Sequence, residues 1–378
     1  MFQRISHTLA SDAPGTVTTL TYFRIGPEDA EAKVHLQAGL HADETPGMML
    51  LHHLLPLLKA ADERGTLRAR FTVMPACNPL GLAQFALRHH IGRYDINTGI
   101  NHNRRWPDLF TELRQSLSGR LSDDPDFNVN LIRKALSQWL DRQEPRTAAE
   151  EWRTLILRET HDADLVLDLH CDSDSLVYIY TSPELMPELQ DLSDWIGAAA
   201  TLTAADSGGG SFDEVYPQLY RRIAAVNPNK PLPLATATAT VEYRGQFDTF
   251  DTIGENDARR LFGFFCARGL IDAGAVSAPE PSPGATPFEA TDVVRAPTAG
   301  LIAYRVELGE RVTRGQPVAD LIAMDGPDAF EARTPLLAGT DGLVLTRYWH
   351  KYVTKGQGIM KIVGTTPLPG RKGYLLED

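Results

Sequence analysis

The run Leu-Val-Leu-Asp-Leu-His at 165–170 has the apolar density of a buried strand, yet an acid and a histidine stand in its last three positions. Burying both groups requires partners for them. Residues i and i+2 of a strand share a face, so Asp168 and His170 point the same way. Further strands are expected at 16–25 (TVTTLTYFRI), 33–38 (KVHLQA), 70–76 (RFTVMPA), 176–180 and 236–243. Helical stretches separate them. One follows Thr45, which suits an N-cap, and Pro46, which suits the first helical position; Pro56 is expected to kink or end it. Most of 108–160 reads as helix, with Ile132, Leu136, Trp139 and Leu140 on one face, and 257–271 reads as another. Strands alternating with helices indicate an α/β layered sheet.

A composition break follows. Residues 277–288 are rich in Pro, Ser and Ala and read as a stiff linker. Beyond it come short strands, glycine turns and an internal repeat. Residues 297–321 resemble 339–362, with Gly300 matching Gly342, Val312 matching Val353, and Gly315-Gln316 matching Gly356-Gln357. Two such copies indicate a small all-β sandwich with pseudo-twofold symmetry. The chain of 378 residues is therefore divided into a catalytic domain at 1–276, a linker at 277–288 and a β domain at 289–378.

The net charge of -12 argues against nucleic acid as a partner, although a local arginine cluster can still hold an anionic small molecule. Three widely spaced cysteines, Cys77, Cys171 and Cys266, imply neither a disulfide framework nor a Cys-x-x-Cys metal site. They fit a reducing, cytoplasmic location. The first residues lack the apolar core of a signal peptide, and no apolar run reaches the roughly 20 residues of a membrane span. Homo-oligomer formation stays open.

Candidate chemistry sits at strand ends. His41-Ala42-Asp43-Glu44 follows the 33–38 strand. Imidazole nitrogen and carboxylate oxygen are zinc ligands, and catalytic zinc takes three protein ligands plus water. His-x-x-E alone also reads as a solvated turn. His170 can add a ligand, with Asp168 orienting an imidazole. Glu242, ending the 236–243 strand, is placed to serve as general base or to pair with Arg244. Arg88 and the run Asn103-Arg104-Arg105 offer guanidinium groups for planar recognition of carboxylates. The run Ser207-Gly208-Gly209-Gly210-Ser211 reads either as a loose surface linker or as a mobile flap on the site's side.

The order of these motifs, from His-x-x-Glu through Asn-Pro, Arg, Asn-Arg and Asp-Leu-His to Val-Glu, resembles the succinylglutamate desuccinylase/aspartoacylase family. That resemblance implies a mixed-sheet, zinc carboxypeptidase-like catalytic domain followed by a barrel-sandwich-like C-terminal domain. It implies one zinc ion per chain, held by His41, Glu44 and His170. It makes Glu242 the carboxylate that activates water and protonates the leaving amine. Arg88 would steady the oxyanion. Asn103 and Arg104, with Arg244 as a further candidate, would grip a substrate carboxylate. The reaction implied is hydrolysis of the amide of a small N-acylated amino acid or related amine; a carboxypeptidase acting on a short peptide is the alternative. Two departures stand out. Asn101-His102-Asn103-Arg104 replaces the family's usual Asp-Leu-Asn-Arg, and 108–160 is longer than in short members. A biotinyl- or lipoyl-type carrier is disfavoured because LIAMDGPDAFEA at 321–332 has no lysine. A serine hydrolase is disfavoured by the lack of Gly-x-Ser-x-Gly.

Overall fold

The computed structural model describes residues 1–376 apart from 12 and 275. Before residue 277 the chain runs β1 (Gln3–Leu9), β2 (Thr18–Ile25), β3 (Ala32–Ala38), α1 (Pro46–Glu63), β4 (Ala69–Met74), α2 (Pro79–Leu82), the hairpin β5 (Phe85–Ala86) and β6 (His89–His90), then α3 (Leu109–Leu117), α4 (Pro125–Asp141) and α5 (Ala148–Thr160). It continues through β7 (Leu165–Asp172), β8 (Asp174–Ser175), β9 (Val177–Thr181), α6 (Met186–Ile196), β10 (Ala200–Thr203), α7 (Val215–Val226), β11 (Ala237–Gly245) and α8 (Asp251–Ala267). With β12 (Ala285–Pro287), these strands form a nine-stranded mixed sheet in the order β1-β2-β4-β3-β7-β11-β9-β10-β12.

At its centre β4, β3, β7 and β11 are parallel. Their residues alternate between two cores. Leu36, Leu167, Leu169 and Val241 pack with residues of α1, α6 and α8 on one face. Val166 joins a cluster drawn from α3, α4, α5 and α7 on the other. Each such buried side chain contributes roughly 1.5–3 kcal/mol. Covered on both faces, the central strands have little choice but to be apolar. Asp168 and His170 are therefore conspicuous at 0% and 2% exposure.

Two local expectations change. α1 continues through Pro56 to Glu63. Pro56 is exposed, so the carbonyl left without its donor one turn earlier faces solvent rather than the core. Thr45 has helical dihedrals and no capping bond; its hydroxyl instead meets that of Thr249 at 2.5 Å.

The Pro-rich stretch 277–288 is not only a spacer. Its last part, β12, lies parallel to β10 and covers that strand's open edge. Beyond it, β13 (Thr291–Arg295), β14 (Gly300–Tyr304), β15 (Arg311–Val312), β16 (Pro317–Ile322), β17 (Arg333–Leu337), β18 (Gly342–Arg347), β19 (Tyr352–Val353) and β20 (Gly358–Val363) make two antiparallel sheets. The sequence repeat is visible as geometry. Gly300 pairs with Val353 and Gly342 with Val312, so each copy lends its short strand to the other. In each turn a Thr amide donates to the glutamine Oε1 at 3.1 Å, Thr313 to Gln316 and Thr354 to Gln357. β8 pairs with β18, joining these sheets to the carboxyl end of β7.

Candidate active site

Three neighbouring parallel strands, β3, β7 and β11, end at the same edge of the sheet. In open α/β sheets that edge is where sites form. The turn after β3 carries His41 and Glu44, β7 carries His170, and β11 carries Glu242, opposite His170 in register. His41, Glu44 and His170 are all buried, and one ligand atom from each lies within 4.8 Å of the others.

The outer shell decides what this trio can hold. His41 Nε2 lies 2.7 Å from Asn101 Oδ1, and His170 Nε2 lies 2.8 Å from Asp168 Oδ2. Both acceptors are oxygens, so each imidazole donates through Nε2 and a neutral ring turns a bare Nδ1 inward. Those Nδ1 atoms face the Glu44 carboxylate at 3.0 and 2.7 Å. Lone pairs aimed at a carboxylate repel unless a proton or a cation lies between. Two neutral nitrogens and one carboxylate, each backed by a hydrogen-bonded partner, are a donor set that fits zinc.

The charges within the trio leave His41 neutral and favour a proton on His170, at the position a bound cation would take. Burial works against charge on Glu44, yet the two imidazoles hold its carboxyl well below the usual range. Burial, then the Arg93 guanidinium, lowers His41 to about 4. Burial also pulls on His170, but Asp168 and Glu44 outweigh it and raise the ring well above its ordinary value.

Glu242 differs. Its Oε2 is buried without a hydrogen-bond partner among the described residues, and burial followed by the charge of Glu44 pushes its carboxyl up to about 8. It makes no ion pair with Arg244. That guanidinium is turned away and bound twice by Asp257 of α8, at 2.5 and 2.9 Å, and Arg244 does not line the cavity. Arg88 is also elsewhere. Leu87 and Arg88, both with positive φ, are the two turn residues of the β5–β6 hairpin, and Arg88 is exposed. The arginine at the site is Arg93, whose Nη1 lies 2.8 Å from Glu44 Oε1 and 3.2 Å from His41 Nδ1. No local signal in the sequence distinguishes Arg93 from Arg88, because the path of the hairpin decides which of them reaches Glu44.

Asn103 and Arg104 are where the motif places them, in the cavity wall. Arg153 of α5 holds their turn by donating to the carbonyls of His102 and Arg104 at 3.1 and 2.9 Å. The glycine run lies on the same side, with Ser207 and Ser211 lining the cavity. It is pinned rather than loose: Arg105 and Trp106 amides donate to the Gly209 and Gly210 carbonyls at 2.8 and 3.0 Å. All three glycines have positive φ, and a Cβ at Gly209 would stand 2.8 Å from Arg104 Cδ.

The cavity measures about 720 Å³ and its far wall comes from the C-terminal sheets, including Arg295, Trp349 and Lys361. Lys361 Nζ meets Asp172 Oδ2 at 2.6 Å, and Trp349 donates to Gln246, which donates to Asp43 in the ligand turn. Among the described residues no helix is long and apolar enough to cross a membrane.

Three metal-type ligands and a raised, unpaired carboxylate at the carboxyl edge of a mixed sheet define a hydrolase-type site. Residues 30–204 match the family model of the succinylglutamate desuccinylase/aspartoacylase catalytic domain, as the motifs implied. The family comprises hydrolases that act on acylated amino acids. A solved succinylglutamate desuccinylase/aspartoacylase family protein from Shewanella amazonensis is similar over 96% of this chain and 98% of its own, at 23% identity and a TM-score of 0.81. Another from Shewanella frigidimarina covers 96% and 97%, at 22% identity and 0.82. The ectoine utilization protein EutE (DoeB) of Ruegeria pomeroyi covers 97% and 94%, at 16% identity and 0.65. These likenesses are of fold. No curated protein matches the chain in sequence.

Proposed function

We propose that the protein is a zinc-dependent amidohydrolase that releases the amine of a small N-acylated amino acid. The observation that carries this reading is the inward pair of Nδ1 atoms around Glu44, with Glu242 unpaired nearby. His41, Glu44 and His170 would hold the ion. A bound divalent cation supplies Lewis-acid polarisation of a carbonyl and lowers the pKa of water.

The chain's own groups do the rest. Glu242, poised by burial, takes a proton at its free oxygen and returns it to the leaving nitrogen. Arg93, rather than Arg88, presents the guanidinium that steadies negative charge developing on the carbonyl oxygen. Asn103 and Arg104 hold a substrate carboxylate away from the reacting bond. We assign 1–276 to a zinc carboxypeptidase-like catalytic domain, 277–288 to the linker and 289–378 to a barrel-sandwich-like domain. The symmetric pairing of the two repeats supports the last assignment. Three buried, unbridged cysteines support a cytoplasmic location.

A cavity of about 720 Å³ also has room for a short peptide, which supports a carboxypeptidase as the second reading. The test is a liberated-amine assay over N-acyl amino acids and dipeptides, with and without chelator. Chelator-sensitive release from N-acyl amino acids is expected. Release from dipeptides alone would favour the second reading, and release unaffected by chelator would exclude the metal.

A further inference from the structure

The cavity contains acids that the proposed chemistry does not use. Its cations are largely taken: Arg93 by Glu44, Lys361 by Asp172, and Arg347 by Asp174 and Glu307. Asp213 and Glu214 also line it, and among the described residues neither has a cationic partner. Asp213 follows the pinned glycine run. Its backbone carbonyl accepts from the Thr238 hydroxyl at 2.6 Å, which seats it over β11. Thr238, Thr240 and Glu242 share one face of that strand. Thr240 is 5% exposed, lines the cavity, and its hydroxyl has no hydrogen-bond partner among the described residues. A buried hydroxyl without a partner, on the face that an unneutralised acid covers, is costly unless a ligand completes it.

The same wall carries the opposite charge a few residues away. The Phe212 amide donates to Asn103 Oδ1 at 2.8 Å, tying the segment before Asp213 to the turn that carries Arg104. One wall thus offers a guanidinium and a carboxylate in fixed relation. A molecule with its own carboxylate and a separate ammonium group complements that pair.

We propose that Asp213, with the Thr240 hydroxyl on the same face of β11, is a subsite for a cationic group of the substrate, so that the enzyme acts on N-acyl derivatives of basic amino acids. The proposal rests on the amidohydrolase reading above and names its substrate class. The amino acid's carboxylate sits at Asn103–Arg104 and its side-chain ammonium at Asp213. Burial, then the Ser211 hydrogen bond working against it, leaves the Asp213 carboxyl above its ordinary range, as expected for an acid short of a counter-ion.

The test uses the zinc-loaded full chain and two readouts. Nα-acetyl derivatives of ornithine, lysine and norleucine are compared by kcat/KM. Free ornithine, lysine and norleucine are compared by calorimetric Kd. At least one basic member should exceed norleucine by roughly 10-fold or more in each readout. Asp213→Asn should bring both ratios near one, and Thr240→Val should lower them about threefold. Equal handling of norleucine by the wild type, or ratios unmoved in Asp213→Asn and Thr240→Val, overturns the subsite. Selective ornithine or lysine binding that Asp213→Asn abolishes, with no acetyl derivative cleaved, keeps the subsite and overturns the hydrolase reading. Cleavage without selectivity does the reverse.

Discussion

Glu44 meets two imidazoles with one carboxylate, whereas Glu242, across the strand from His170, meets none. Under the proposed function that contrast separates a ligand from a proton carrier, and it predicts different losses. His170→Ala should purify without zinc, because one of three ligands is gone. Glu242→Gln should keep one zinc per chain while turnover falls roughly 10²–10⁴-fold. Elemental analysis beside the amine assay distinguishes them; zinc retained by His170→Ala would overturn the ligand set. The arginines make a second contrast. Arg93→Ala should lower kcat by roughly 10²-fold or more, the usual effect of removing a group that stabilises developing charge. Arg88→Ala, at an exposed hairpin turn, should stay within about twofold. If Arg88→Ala is the damaging change, the hairpin closes over substrate in a way this structure does not show. The candidate trio of His41, Glu44 and His170 was legible in sequence because strand-end His and acid motifs are local. Arg93 was not, because which arginine reaches Glu44 depends on the path of the β5–β6 hairpin.

The glycine run shows how one element sets another. Gly208, Gly209 and Gly210 adopt left-handed dihedrals in succession, and the carbonyls of Gly209 and Gly210 receive the amides of Arg105 and Trp106. Gly209→Ala strains the backbone and places a methyl 2.8 Å from Arg104 Cδ. The expected result is a KM raised several-fold for substrates with a free carboxylate, while kcat and zinc content change little. An unchanged KM would detach the loop from the carboxylate subsite. Gly92 is a similar case beside the ligands: its carbonyl accepts from Ala42 at 3.0 Å, and a Cβ there would stand 2.5 Å from the Asp43 nitrogen. The strands and most of the helices were legible from apolar periodicity. The pinning of the glycine run was not, because flexible linker and packed turn share a composition.

Across the whole molecule, the C-terminal sheets close the cavity and lend it Lys361, Trp349 and Arg295. Acids in the cavity wall make stability depend on pH. Burial, then the neighbouring Asp213, pushes Glu214 up to about 7 from 4.5. The folded state therefore holds this proton more tightly than the unfolded chain. The resulting stabilisation is full below about 4.5 and is lost as pH rises through about 7. Between pH 5 and pH 8 the wild type should lose more Tm than Glu214→Gln, by roughly 2 °C. Equal slopes would mean that Glu214 is neutralised by a partner in solution.

The order of apolar strands and helices, the break at 277–288 and the duplicated glycine turns were determined by the sequence itself, because hydrophobic periodicity and turn chemistry act over a few residues. So were His41, Glu44 and His170 as candidates, since each ends or follows a strand. Tertiary structure alone decided which groups share the cavity. Arg244 went to Asp257, Arg88 to a hairpin tip, and Arg93 to Glu44. Side chains of similar chemistry are told apart by where the packed backbone sends them, and that is settled by contacts between residues far apart in the chain.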